Sequence, residues 1–269
     1  MAPKTVPNIP VGLGVLQSHA NRAPAVSRAA TILRLLAAER SGLGVTEIAR
    51  RVGLVPSTCL HVLRALVDEG FTSFDAEAKT YHTGGGLLRL VRDAMASNEY
   101  RKIAQPVLDR LAAERGVTAE ALELDSRGRM ILVAITRADS LVSLHVSVGS
   151  RIPAYLGAAG RCVAAASGLS REELKKSFAA LRWEKAPRFE DWYAEVETAR
   201  AEGVAVDHGN YFRGLTAVGA PLPKGGDQAI RVISVVGFEH HVTGNVLRQI
   251  KDDLRRCVKG IAAQLAGSD

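Results

Sequence analysis

The chain has 269 residues, 47% apolar and 23% charged, with 35 Lys plus Arg against 28 Asp plus Glu for a net charge of +7. That balance excludes a disordered or collagen-like chain, and the length suffices for two domains with packed cores. The three widely spaced cysteines, Cys59, Cys162 and Cys257, argue against a disulfide framework or a zinc knuckle and fit a reducing cytoplasm.

Residues 1–24 read as a flexible tail, because the apolar stretch Ile9–Leu16 is short and broken by Pro10, Gly12 and Gly14, unlike a signal peptide. Nothing further along approaches the run of about 20 apolar residues that a membrane span needs. Between Asn21 and Val67 seven arginines stand against two glutamates, so +5 of the total +7 falls in 47 residues. Such a local excess can follow a phosphate backbone.

Ser27 is the expected N-cap of a first helix in which Ala29, Ile32, Leu33 and Leu36 recur at helical spacing. Val45–Val52 predicts a second, short helix, Gly53 a tight turn, and Pro56 the first turn of a third helix. There Cys59, Val62, Leu63, Leu66 and Val67 share the inner face, while Ser57, His61, Arg64 and Asp68 share the outer one. Two helices across a glycine turn, the second offering hydroxyl, imidazole and guanidinium groups, form a helix-turn-helix suited to base edges and phosphates. Phe71–Phe74 and Thr80–Thr83, around the polar Asp75–Lys79, predict a β-hairpin, which completes a winged helix over residues 25–84. Double-stranded DNA is the expected partner; the alternative is a winged helix used for protein contacts. Ser57, Thr58, His61 and Arg64 are expected in the major groove, and Arg50, Arg51 and the wing residue Lys79 on phosphates.

Gly84-Gly85-Gly86 reads as a hinge, followed by a linker helix over 85–100 with Leu87, Leu88, Val91, Ala94 and Met95 on one face. A second helix covers Arg101–Arg115. Helices in this position either pair two chains or serve as an intrachain spacer. The remainder, a domain over 101–269, mixes strands at Ala121–Leu124, Met130–Ile135, Leu141–Val148, Val204–Asp207, Thr216–Leu222 and Ile230–Val236 with helices at Gly160–Ala166, after Ser170, at Glu190–Glu202 and at Asn245–Leu265. Ser170 and Glu173 have capping-box spacing, and Lys224–Asp227 reads as a turn. The pattern predicts an α+β fold, a sheet covered by helices.

Catalytic and metal chemistry find little support. Cys162, Asp207 and His208 make a chance trio with no nucleophile elbow, His240-His241 lacks a third ligand, and Gly225-Gly226-Asp227 matches no nucleotide-binding fingerprint. No cofactor or catalytic residue is expected; an enzyme built on a sensor-like domain remains the rival reading. The stronger feature is Gly149–Arg161, a glycine-rich loop entering a helix whose first N–H groups can hold an anion.

Taken together, four blocks resemble the IclR family of bacterial transcriptional regulators. They are Ser27-Arg28-Ala29-Ala30; Glu47-Ile48-Ala49 through Ser57-Thr58 to Leu63-Arg64-Ala65-Leu66; Gly149–Arg161; and Ala201–Asp207 with Gly214–Leu222. The resemblance implies an N-terminal winged helix, a dimerising linker helix and a C-terminal effector domain similar to GAF or PAS sensors. It further implies a cytoplasmic dimer or tetramer on a palindromic operator, with a small organic or aromatic acid of a catabolic pathway altering DNA binding. The family's pocket positions correspond to Ala159, Gly160, Arg161, Asp207, Ala217, Ser234 and Val236. Where many members carry a cysteine and a second serine, this chain has Ala217 and Val236, which favours a less polar effector such as an aromatic acid. His61 replaces a frequent Arg in the third helix, so the preferred operator is expected to differ.

Overall fold

A computed structural model describes residues 23–39, 41–136, 146–223 and 229–267. Its contacts divide the chain into two units that meet in sequence between Ala94 and Met95, inside the helix expected as the linker.

In the first unit, α1 (Pro24–Ala38) starts earlier than the sequence suggests. Pro24, whose fixed φ suits a first helical turn, precedes Ser27 by three residues; Ser27 therefore lies inside the helix, its carbonyl accepting the Thr31 hydroxyl. The expected tail, up to residue 22, lies outside the described residues. Helix α2 (Val45–Val52) ends at Gly53, whose left-handed φ of 70° returns an N–H to the Ala49 carbonyl and turns the chain into α3 (Pro56–Asp68). Ile32, Leu36, Ile48, Ala49, Cys59, Leu63 and Leu66 bury one shared core. Strands β1 (Thr72–Asp75) and β2 (Thr80–Thr83) pair antiparallel with Phe74 opposite Tyr81, their ring centroids 4.7 Å apart.

Helix α4 (Gly85–Ser97) begins within the glycine triplet. The expected hinge is instead a packing device: Gly84 and Gly86 donate to the Phe71 and Gly70 carbonyls, and a Cβ on Gly86 would lie 2.6 Å from Gly70 O. Further along α4, Leu88 and Val91 of the apolar stripe read there are exposed, as is Leu90.

The second unit is α+β. Helix α5 (Glu99–Arg115) leads into β3 (Thr118–Leu124) and β4 (Arg129–Ile135), followed by β5 (Arg151–Pro153), α6 (Gly157–Ala166), α7 (Arg171–Ala179), α8 (Phe189–Glu202), β6 (Ala205–His208), β7 (Leu215–Pro221), β8 (Arg231–Phe238) and α9 (Gly244–Ala266). The strands form one antiparallel sheet in the order β5-β4-β3-β8-β7-β6. Strand alternation divides its two faces. Ala119, Ala121, Val218, Ala220, Ile233 and Val235 pack against α5 and α9 through Leu108, Ile250, Leu254 and Ile261. Leu122 and Val232 on the other face meet Cys162 and Val163 of α6 and Ala199 of α8.

Ser170 and Glu173 form the expected capping box on α7. Of the strand expected over Leu141–Val148, residues 141–145 lie outside the described residues, as does the Lys224–Asp227 turn, and Val146–Val148 is not strand. Arg151–Pro153 pairs with β4 instead. Among the described residues no helix is long and apolar enough to cross a membrane.

Candidate functional site

Helix α3 is amphipathic in a way its packing explains. Burying Cys59, Leu63 and Leu66 leaves Ser57, His61 and Arg64 exposed along the opposite edge, with Thr58 half-buried. Arg50 and Arg51, in the last turn of α2, have a partner in Glu47: Arg50 Nη2 stands 2.7 Å from Glu47 Oε1 and Arg51 Nε 2.6 Å from the same atom. Arg51 also reaches Glu39 at 2.5 Å. These guanidinium groups hold the Glu47 carboxyl far below its ordinary range, at about 2. Arg50 remains 71% exposed and Arg51 only 37%, so part of the positive charge counted in the sequence is compensated within α2 itself. Lys79 is exposed at the hairpin tip with a left-handed φ of 54°; there Asp75 Oδ1 accepts the Glu77 and Ala78 N–H groups.

In the second unit a cavity, partly open to solvent, lies between the sheet and the start of α6. The sheet contributes two rows of side chains set by register. Asp207 of β6 pairs with Ala217 of β7, and Ala217 with Val236 of β8. One step along, Gly219 pairs with Ser234 and Ser234 with Glu120 of β3. Gly157, Ala158 and Ala159 of α6, with Tyr211 and Phe212, complete the wall. The N-cap of α6, Leu156, supplies no side-chain acceptor, and Gly157, Ala158 and Ala159 of the first turn line the cavity at the positive dipole end of the helix.

Of the seven expected effector positions, the structure brings Ala159, Asp207, Ala217, Ser234 and Val236 to the wall and leaves Gly160 and Arg161 off it. Gly160 is needed for packing, since a Cβ there would collide with the Tyr155 backbone. Arg161 is fully buried and points away from the ligand space: Nε donates to Glu195 at 2.6 Å, Nη1 to Asp207 Oδ1 and to the Gly157 carbonyl at 2.9 Å each, and Nη2 to Asn210 at 2.9 Å. The other Asp207 oxygen accepts the Tyr211 N–H at 3.1 Å. Arg161 therefore orients Asp207 from behind.

Glu120 escaped the sequence reading, although a signal was present. In β3 it falls between Thr118 and Leu122 at the alternation of an inward face, where a carboxylate has no ordinary packing role. It is 7% exposed, and burial pushes its pKa up to about 7, with the Ser234 hydroxyl pulling it partly back.

The trio Cys162, Asp207 and His208 is not assembled. Asp207 and His208 are consecutive strand residues, one buried and one exposed, while burial pushes the Cys162 thiol up to about 12. His241 Nε2 lies 2.7 Å from the Arg115 carbonyl and His240 stacks on Phe238. Among the described residues no group of three or more His, Cys, Asp or Glu is placed to hold a metal ion.

Residues 25–76 match the IclR helix-turn-helix domain, and residues 93–263 match the bacterial transcriptional regulator IclR C-terminal domain. The glycerol operon regulatory protein of Streptomyces coelicolor is 25% identical over 243 residues, 89% of this chain and 95% of that protein. A transcriptional regulator from Alicyclobacillus acidocaldarius superposes with a TM-score of 0.75 at 28% identity, over 90% of this chain and 98% of its own. A homologue from Microbacterium hydrocarbonoxydans, solved with 4-hydroxybenzoate, has a TM-score of 0.75 at 18% identity over 90% of this chain and 99% of its own. With both of its halves matched in this order, the chain belongs to the IclR family and is a DNA-binding transcriptional regulator with a C-terminal effector domain.

Proposed function

We propose that α3 reads operator bases through Ser57, Thr58, His61 and Arg64, while Arg50, Arg51 and Lys79 hold the phosphates, and that an aromatic acid in the cavity of the second unit changes operator affinity. The observation that carries the DNA half is the polar edge of α3, exposed above a closed apolar core. For the effector half it is the cavity itself, apolar over most of its wall and facing the uncapped start of α6, where a carboxylate would meet free N–H groups. Ala159, Asp207, Ala217, Ser234 and Val236 bound the ligand; Gly160 and Arg161 act one layer behind, by shaping the α6 entry and fixing Asp207.

The functional form is a cytoplasmic homodimer or homotetramer. Supporting this, α4 leaves Leu88 75% and Val91 52% exposed, an i, i+3 apolar pair suited to the same face of a second copy. Two heads in a dimer would recognise a palindromic site.

The test is fluorescence anisotropy on DNA from upstream of the gene and its neighbours, with benzoate-class acids titrated in. Effector coupling of about 1–3 kcal/mol would change affinity roughly 5- to 150-fold. Ala217→Phe, which fills the cavity, is expected to keep DNA binding and abolish the response. A response that survives Ala217→Phe places the effector elsewhere.

A further inference from the structure

Two carboxyl groups line the cavity, and their circumstances differ. Asp207 is satisfied on both oxygens by Arg161 and the Tyr211 N–H. Among the described residues, Glu120 has no cation or backbone N–H of that kind. Burial and the Ser234 hydroxyl are what act on it, with no cation among the described residues offsetting its charge. Nor does any Lys, Arg or His among the described residues line the cavity. Ser234 stands directly across the β3–β8 pair, and its buried Oγ falls short of hydrogen-bond geometry with any described group. The floor of the cavity thus holds a carboxyl and a hydroxyl side by side, the hydroxyl buried without a partner among the described residues and the carboxyl with no ion pair among them, within a wall that is otherwise mainly Leu, Met, Val, Ile and Ala side chains with the rings of Tyr211 and Phe212. Buried polar groups are ordinarily satisfied, so a hydroxyl and a carboxyl bordering an open cavity leave hydrogen-bonding capacity that a ligand can take up.

We propose that Glu120 and Ser234 form the selecting subsite of this cavity, and that the effector is an aromatic acid carrying an O–H or N–H donor, a hydroxy- or amino-substituted ring acid, whose donor is accepted by the Glu120 carboxylate. This rests on reading the cavity as the effector site. The acid group lies toward the α6 N-terminus, as above, and the ring substituent toward β3. A ring acid without a donor binds with Glu120 protonated, at a cost that grows as pH rises through the folded pKa of that carboxyl. Among the described residues, the titratable and charged groups around Glu120 are Tyr211 from the loop after β6 and, further along the wall, Asp207 of β6 with Arg161 of α6 behind it.

The experiment uses the full-length chain and isothermal titration calorimetry with matched ring acids: benzoate, and the 3- and 4-substituted methyl-, hydroxy- and aminobenzoates. At least one hydroxy or amino acid is expected to bind about tenfold or more tighter than the methyl acid of the same substitution pattern. Glu120→Leu is expected to level or reverse that preference, whereas Glu120→Gln, which keeps a carbonyl acceptor, retains it for the hydroxy acid. Should Glu120→Leu fail to fold, the wild-type protein still decides: donor binding engages the ionised carboxylate, so the donor-to-methyl affinity ratio rises between about pH 6 and about pH 8. Equal binding of donor and methyl members, persistence of the preference in Glu120→Leu, or a ratio that falls with pH overturns the proposal. Binding of none of these acids by protein that still binds its operator overturns the effector-site reading itself, and the donor proposal with it.

Discussion

The guanidinium of Arg161 and the carboxylate of Asp207 meet at 2.9 Å with neither side chain more than 3% exposed, so Asp207 reaches the cavity as a charge already neutralised from behind. A buried pair of this kind is costly to break on one side, because the remaining charge loses both water and partner. Arg161→Met is therefore expected to destabilise the second unit by about 3–5 kcal/mol, read from urea unfolding followed by tryptophan fluorescence, since Trp192 packs in the same half and Trp183 lies against the guanidinium. A loss below about 1 kcal/mol would show that Arg161 does not hold Asp207 in this way.

Gly160 tests the packing of the α6 entry independently of charge. Because a Cβ there meets the Tyr155 main chain and not a flexible side-chain end, Gly160→Ala forces the loop and helix apart. Overpacking against backbone costs roughly 1–3 kcal/mol, and the distortion falls on the N-terminal turn of α6. The expected result is a lowered melting temperature together with weakened effector response, while Gly168→Ala, at a glycine with φ of 72° and open space around it, costs stability without touching the response. Equal effector responses in the two variants would contradict a role for Gly160 in shaping the cavity.

These residues also show what the sequence makes legible. Elements with strong periodicity, such as α3 and α9, follow from the placement of Leu63 and Leu254 on one face each, and the capping box names the start of α7 outright, whereas β3 begins three residues before the expected Ala121. Spacing alone does not show where a polar side chain ends up. Arg161 follows the glycine-rich loop like a ligand contact, yet lies one helical residue off the wall; Glu120 sits in an apolar strand and is a wall residue. Both outcomes depend on cross-strand register, Ser234 opposite Glu120 and Ala217 opposite Asp207, which is a property of pairing between distant segments. The glycine triplet shows the same dependence on distant pairing: Gly84 and Gly86 lack the Cβ that would collide with Gly70.

On the DNA-reading helix, Arg64 and Arg51 are expected to behave differently. Arg64 is exposed on α3, so Arg64→Ala is expected to cost on the order of 1–3 kcal/mol on a cognate operator and to relax discrimination at one base pair. Arg51 is bound to Glu47 and Glu39, and Arg51→Ala frees both carboxylates near the backbone path. That variant should weaken all sequences alike and change the salt slope by about one unit or less. Competition anisotropy with single-base operator variants separates the two; uniform weakening by Arg64→Ala removes it from base reading.

Glu120 gives the protein a pH dependence whose sign is fixed by its burial. Its pKa in the folded chain, about 7, is above the ordinary carboxyl value of 4.5, so the folded state holds the proton more tightly than the unfolded state. The associated stability is fully present below about pH 4.5 and is lost as pH rises through about 7, reaching a deficit of about 3 kcal/mol or less on the alkaline side. Glu120→Gln carries no titrating group. The difference in stability between Glu120→Gln and wild type is therefore expected to be near constant below about pH 4.5 and to grow in favour of the variant toward about pH 8. Paired chemical-denaturation series across that range measure it directly. A difference independent of pH would mean that the carboxyl is solvated in the folded chain, and a solvated Glu120 has no need of a donor from the ligand.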